Sequence, residues 1–112
     1  MKRRNRLSQT NDILRVRRYG TSYAHPLIVL MKCKNNLKQV RMGVMVNKSI
    51  GGAVVRNRCK RQIRSLFDGY LDRIENGWDL LIIARQPIGR ADYSSMKSTL
   101  QDLLCKAELM NP

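Results

Sequence analysis

The densest group of chemically active side chains lies between residues 56 and 64. Five of these nine residues are cationic and none is acidic; the cations are Arg56, Arg58, Lys60, Arg61 and Arg64, with Asn57 between the first two. Four of the five are arginines, whose planar guanidinium groups bind phosphate through paired hydrogen bonds. The segment therefore predicts contact with a phosphate-bearing polyanion.

The spacing of apolar residues around this segment indicates an amphipathic helix that ends near Gly77. Apolar residues recur every three or four positions along it, namely Val55, Cys59, Ile63, Leu66, Phe67, Tyr70 and Ile74. The cations cover the other side, although like charges one turn apart destabilise a helix by about 0.2–0.5 kcal/mol per pair. Solvated helix surfaces usually mix signs, so bound phosphates explain this pattern better.

The residues just before this helix add a second anion-binding feature. Lys48 is followed by a serine and then by Gly51-Gly52 at the helix start. Free backbone N–H groups at a helix N-terminus can bind phosphate. The segment lacks the P-loop pattern, so we expect Lys48 to act together with the cationic helix and not as a nucleotide-binding loop.

The charge of the whole chain, +14, is unevenly distributed. Residues 1–66 contain 17 of the 22 basic residues and a single acid, Asp12. Arg3, Arg4 and Arg6 belong to a basic segment, residues 1–9, that we expect to be extended or mobile without a partner. A surface this positive indicates a polyanionic partner, which leaves nucleic acid, an anionic membrane or an acidic protein.

Several functional classes are disfavoured by what the sequence lacks. The longest apolar runs are far shorter than the roughly 20 residues of a membrane-spanning helix, so we expect a cytoplasmic protein without a membrane partner. His25 is the only histidine, and Cys33, Cys59 and Cys105 are widely spaced, so no disulfide or protein-bound metal is expected. No small-molecule substrate is expected either. The basic region also lacks the carboxylate cluster of a two-metal nuclease. The chain should bind RNA or DNA without cutting it alone.

Hydrophobic patterning predicts a single α+β domain over residues 1–112. The first predicted element is a helix capped by Thr10 and ending at Gly20, followed by strands at 27–33 and 40–46 that are joined as a hairpin. The basic helix comes next, and after it a buried strand at 79–85. The last predicted element is a helix capped by Asp92, whose apolar face begins at Tyr93. A helix between two strands implies a crossover with a parallel neighbour in the sheet.

The chain resembles the protein subunit of bacterial ribonuclease P over nearly its whole length. The segments that carry the resemblance are Arg3-Arg4-Asn5-Arg6-Leu7, Tyr19-Gly20-Thr21-Ser22, Met42-Gly43-Val44 and Ala53-Val54-Val55-Arg56-Asn57-Arg58-Cys59-Lys60-Arg61. The last of these is similar to the R-N-R signature helix of that family and is highly specific. A basic helix alone is not.

The resemblance implies an αβββαβα two-layer sandwich of the type seen in the second domain of ribosomal protein S5. It also implies a left-handed βαβ crossover through the basic helix, where the general rule would give a right-handed one. The basic helix would bind ribonuclease P RNA, and that RNA would carry catalysis with Mg²⁺.

The resemblance further implies that a cleft between the first helix and the sheet receives the 5′ leader of precursor tRNA. The matching positions here are Ile13, Arg17 and Met31, where family members often have aromatic residues. Stacking on an aromatic ring contributes about 1–3 kcal/mol per base. Leader contact in this chain is therefore expected to depend more on charge.

Three other functions agree with the composition. A structural, ribosome-associated RNA-binding protein of similar fold would bind RNA without stimulating tRNA 5′ processing. An autonomous nuclease would cleave with magnesium alone, and the missing carboxylate cluster argues against it. A general binder of DNA or anionic lipid would show comparable affinity for DNA and RNA. The setting of the R-N-R motif favours the ribonuclease P subunit.

Overall fold

The sheet is built around its most apolar strand. In the computed structural model, which describes residues 1–111, this strand is β4 (Trp78–Ala84). The others are β1 (Thr21–Ala24), β2 (Ile28–Lys34) and β3 (Arg41–Met45), and the order across the sheet is β1-β2-β4-β3. Residues 79–82 of β4 are fully buried, so both faces of this strand are covered. A strand without a polar face belongs at the centre of a sheet.

The predicted hairpin between the second and third strands is wrong. β4 lies between them and pairs antiparallel with β2 and parallel with β3, so that Leu81 is opposite both Met31 and Gly43. Because β4 is apolar on both faces, it takes the position with two neighbours, and the polar connection from β2 to β3 passes over it. The crossover that joins parallel strands runs from β3 through a helix to β4, as expected.

The three helices are α1 (Thr10–Tyr19), α2 (Ala53–Tyr70) and α3 (Tyr93–Lys106). The element order is therefore αβββαβα, although patterning alone missed β1, which is short and mostly exposed. Asp92 caps α3 as predicted by accepting a hydrogen bond from the Ser95 N–H at 2.8 Å. Thr10 does not cap α1, because Gln9 occupies the cap position without a side-chain bond.

Two boundaries of the apolar pattern also differ from the prediction. α2 ends at Tyr70, well before Gly77, and a 3-10 turn (Leu71–Arg73) follows, so Ile74 is buried from outside the helix. Tyr93 is 47% exposed and lies outside the core. Helical spacing cannot detect the end of α2, because a turn can continue the apolar sequence without continuing the helix.

The two faces of the sheet are covered very differently. α2 and α3 share one face with a core of 23 buried residues, among them Phe67, Leu80 and Ile82. Side chains alternate along β4, so Leu81 points to the opposite face. There α1 covers a cluster with only three buried members, Leu7, Val16 and Leu81. We call this second side of the sheet the α1 face.

The N-terminal segment, predicted to be extended or mobile, has defined contacts along β3. The Asn5 side chain donates to the Val40 carbonyl at 2.8 Å, and the Leu7 N–H donates to the Met42 carbonyl at 3.0 Å. A Cβ at Gly43 would lie 2.8 Å from the Leu7 carbonyl oxygen, so the close approach depends on this glycine. Arg3, Arg4 and Arg6 are exposed beside this edge of the sheet.

Candidate nucleic-acid interface

The surface of α2 carries charge that the protein itself does not neutralise. Its apolar stripe faces the core, while Asn57 and Arg61 are exposed and four further cations are half-buried, namely Arg56, Arg58, Lys60 and Arg64. Within residues 1–111, none of the five cations forms an ion pair. The helix therefore presents an uncompensated positive surface, as the sequence predicts.

Two arginines of this surface also hold neighbouring turns. Nε of Arg56 donates to the Gly51 carbonyl at 3.2 Å, and a terminal nitrogen of Arg58 donates to the Gly89 carbonyl at 2.9 Å. A Cβ at Gly89 would lie 2.9 Å from the Ile50 carbonyl oxygen, so the turn at 86–90 fits closely against the turn at 48–50. The start of α2 and both turns thus form one continuous surface.

Lys48 lies in the turn that leads into α2. It begins a 3-10 turn (Lys48–Ile50) in which the Asn47 side chain accepts a hydrogen bond from the Ser49 N–H at 3.1 Å. Gly51 follows with φ +155°, a conformation that L side chains rarely adopt. Lys48 is exposed and Gly52 occupies the cap position of α2. The predicted lysine and helix start are therefore adjacent.

The three predicted cleft residues lie together on the α1 face. Ile13 and Met31 are half-buried and pack against the Leu7–Val16–Leu81 cluster. Arg17 is exposed, and one of its terminal nitrogens lies 3.9 Å from the Met45 sulfur on β3. Ile13 and Arg17 are four residues apart on α1 and so share one side of it. The arrangement combines an apolar surface, formed by Ile13 and Met31, with the exposed cation Arg17.

A buried carboxylate on the same face was missed by sequence reasoning. Asp79, at the start of β4, is fully buried, and Arg41 on β3 binds it with two hydrogen bonds, from Nε to Oδ1 at 2.8 Å and from NH2 to Oδ2 at 2.7 Å. Arg15 of α1 also pairs with Oδ2, and Asn35 donates to Oδ1 at 2.8 Å. Asp12 of α1 lies 3.3 Å from Arg41. We call these five residues the Asp79 network.

The network neutralises its own charges, with two arginines against two aspartates. Hydrogen bonds to Asp79 raise the pKa of Arg41 above its usual value, more than burial lowers it. Arg15 of α1 is committed to this contact and is not available to an external anion. The feature of the sequence that could have revealed this network is Asp79 itself, since a lone carboxylate at the start of an apolar strand requires a buried partner.

Comparison with known proteins identifies the family. The family model described as Ribonuclease P matches residues 1–108. The chain belongs to the ribonuclease P protein family. A relative from Herpetosiphon aurantiacus, named Ribonuclease P protein component, is 38% identical over 97% of this chain and 89% of its own length. A relative of the same name from Clostridium botulinum is 39% identical over 96% of this chain and 97% of its own.

Solved structures of the family have the same fold. The chain is similar to the Staphylococcus aureus RNase P protein with a TM-score of 0.89 and 31% identity, covering 96% of this chain and 98% of that one. It is also similar to the Thermotoga maritima RNase P protein, with a TM-score of 0.83 and 28% identity over 90% of this chain and 96% of that one. The αβββαβα architecture expected of the ribonuclease P family is confirmed.

Two further properties of the described residues bear on function. Across residues 1–111, no three or more His, Cys, Asp or Glu side chains come together as a possible metal site. No helix in that range combines the length and apolar character needed to cross a bilayer.

Proposed function

We propose that this chain is the RNA-binding protein subunit of ribonuclease P, assisting endonucleolytic removal of the 5′ leader from precursor tRNA. The observation that carries the proposal is the family match over residues 1–108, together with relatives named Ribonuclease P protein component at nearly full coverage. The partners are then the ribonuclease P RNA and precursor tRNA, and the cellular location is the cytoplasm.

The surface of α2 is the proposed binding site for the RNA subunit. Within residues 1–111 its cations have no acidic partners, and their mutual repulsion is relieved when they neutralise RNA phosphates and release the counterions condensed on the RNA. The hydrogen bonds from Arg56 and Arg58 to neighbouring turns hold the surface in place before RNA arrives, which lowers the entropy lost on binding. The proposed contact residues are Lys48, Arg56, Asn57, Arg58, Lys60, Arg61 and Arg64, with Arg3, Arg4 and Arg6 adding charge at the β3 edge.

The α1 face is the proposed binding site for the 5′ leader. Arg17 supplies a cation for the leader phosphates, and Ile13 and Met31 supply an apolar surface for its bases. Neither aliphatic nor thioether side chains stack on bases as aromatic rings do, so charge contributes more of the leader affinity here. The leader affinity should accordingly depend strongly on salt.

Catalysis is assigned to the RNA subunit, with Mg²⁺ bound by that RNA. Asp79, the fully buried carboxylate of the α1 face among residues 1–111, is already bound by two arginines and Asn35, so both of its oxygens are occupied. The protein thus contributes binding and charge neutralisation. Hydrolysis with the RNA subunit leaves a 5′-phosphate on the mature tRNA.

The decisive experiment is cleavage of a 5′-extended precursor tRNA at low Mg²⁺ concentration by a bacterial ribonuclease P RNA, with and without this protein. Cleavage at the mature 5′ end only when both are present supports the proposal. The stimulation of cleavage by the protein should fall with Arg61→Ala. It should persist with Lys97→Ala, which removes an exposed cation of α3. Tight binding without stimulation would instead indicate a structural RNA-binding protein, and cleavage by the protein alone would indicate a nuclease.

A further inference from the structure

α1 is attached to the sheet by few apolar contacts. Val16 is its only fully buried residue, whereas Leu14 is 57% exposed and Tyr19 is 71% exposed. The opposite face of the sheet has a core of 23 buried residues. Apolar contact is non-directional, so a cluster this small constrains the rotation of α1 about its own axis only weakly.

The Asp79 network supplies the directional contacts that this helix otherwise lacks. Arg15 pairs with Asp79 on β4 and donates to the Lys34 carbonyl on β2 at 2.8 Å. Asp12, one turn earlier on α1, pairs with Arg41 on β3 at 3.3 Å. Two side chains on one side of α1 therefore bind three strands, and Asp79 is fully buried at the centre. Charge-assisted hydrogen bonds of this kind are strong and depend on geometry.

The network and the proposed leader site lie on opposite sides of the same helix. Arg15 and Arg17 are two residues apart, so their side chains project about 200° apart around α1. Arg15 reaches Asp79 on one side, and Arg17 reaches over β3 to Met45 on the other. A rotation of α1 that breaks the first contact must also move the second.

We infer that the Asp79 network is a positioning device that fixes the rotation of α1 and thereby directs Ile13 and Arg17 toward the leader. The inference rests on the proposed role of the α1 face and adds to it the residues that orient the site. Arg15 is then a positioning residue that acts through α1 and does not itself touch RNA.

The test compares Arg15→Gln with Arg18→Gln, which removes the same charge from an exposed residue of the same helix. Each variant is assembled with ribonuclease P RNA, and the affinity for leader-bearing precursor tRNA is divided by that for mature tRNA. Arg15→Gln should lower this ratio about fivefold, within the range of mutations that act on coupling at a distance. Arg18→Gln should change it far less, and both should bind the RNA subunit as the original chain does. Equal ratios in the two variants would overturn the inference.

Two further measurements separate positioning from charge and from the proposed function. Arg15→Lys keeps the charge but loses the planar fork, so it should restore the ratio only in part, and full restoration would contradict the inference. NMR contacts from the Ile13 methyl groups to the cluster of Leu7, Val16 and Leu81 should change in Arg15→Gln and stay unchanged in Arg18→Gln. If the original protein shows no preference for the leader, the proposed leader site is wrong, while these contacts still report whether Arg15 orients α1.

Folding of the variant is the remaining control. Should Arg15→Gln be unfolded, Asp12→Asn provides the same comparison, because it breaks only the pair with Arg41 and leaves Asp79 bound by both arginines. A lowered ratio in the folded Asp12→Asn protein supports the inference, and an unchanged ratio opposes it.

Discussion

Arginines on α2 and arginines around Asp79 have opposite electrostatic surroundings. Those on α2 have no acidic partner within residues 1–111 and face outward, while Arg15 and Arg41 share a fully buried carboxylate. The arginines of α2 repel one another until an anion binds, whereas the charges of Arg15 and Arg41 are already neutralised by the aspartates of the Asp79 network. Net charge alone therefore does not locate a binding surface, because part of the positive charge of this chain is neutralised within its own structure.

The strongest test of this contrast is Asp79→Asn. Removing the carboxylate charge leaves Arg15 and Arg41, whose side chains are 31% and 19% exposed, without their shared partner. Breaking a fully buried pair costs about 3–5 kcal/mol, and solvent screening of these half-buried arginines reduces the expected loss to about 2–3 kcal/mol. Urea unfolding followed by circular dichroism should show this loss. Asp72→Asn, an exposed control, should stay within about 0.5 kcal/mol of the original chain. A loss as small as the control's would mean that the network does not stabilise the fold.

Arg58 is one of the outward-facing arginines of α2 and also forms a hydrogen bond within the protein, so Arg58→Ala tests both roles. Its hydrogen bond to the Gly89 carbonyl links α2 to the turn at 86–90, so its removal should lower the free energy of unfolding by about 1 kcal/mol. The affinity for ribonuclease P RNA should fall as well. Unfolding and filter-binding measurements on the same protein separate the two effects, and unchanged stability would show that the Gly89 hydrogen bond has no energetic weight.

Arg61→Ala tests an arginine of α2 that faces outward without an ion pair among residues 1–111. Arg61 is exposed and has no hydrogen-bond partner within residues 1–111, so stability should remain within about 0.5 kcal/mol. If Arg61 neutralises one RNA phosphate, its removal should reduce the slope of log K against log salt by about 0.7–0.9. Titrations of ribonuclease P RNA at several salt concentrations measure the slope, with Lys97→Ala as the variant expected to leave it unchanged. A slope that does not respond would remove Arg61 from the interface.

The smallest effect is expected at Asp92, a carboxylate that serves only its own helix. The Ser95 backbone hydrogen bond, followed by its hydroxyl, lowers the pKa of Asp92 below its ordinary 3.8. Because the folded value is the lower one, the stabilisation is present above pH 3.8 and is lost as the pH falls through the folded pKa. NMR titration of the Asp92 carboxyl should give a midpoint below 3.8, and Asp92→Asn should lack this acid-dependent loss. A midpoint at or above 3.8 would show that the cap is not formed.

The sequence predicts the elements with periodic patterns and fails where pairing decides the outcome. α2 and α3 have apolar stripes that only a helix explains, and the apolar run of β4 predicts a central strand. The order β2-β4-β3 is invisible to periodicity, because no local pattern states which strands are neighbours. β1 was missed because four mostly exposed residues carry almost no burial signal.

The candidate site divides in the same way. The cations of α2 could be predicted, since like charges without acids along one helix already indicate an external anion. The role of Arg15 could not be predicted, because in the sequence it is one of three arginines in a helix of ten residues. Its partner Asp79 lies 64 positions later, and only the fold brings the two together.

The central position of β4 constrains how the protein emerges during synthesis. Among residues 1–111 the strand that pairs with β3 is β4, and α2 lies between them in the chain, so β1 and β2 are the only named strands that can pair before β4 has been synthesised. Until then the apolar stripe of the basic helix lacks the core side chains that β4 contributes, among them Leu80 and Ile82. Completion of the sheet is a late, long-range event, which slows folding relative to a protein of local contacts. The last third of the chain, poorest in basic residues, thus controls when the proposed RNA-binding surface takes shape.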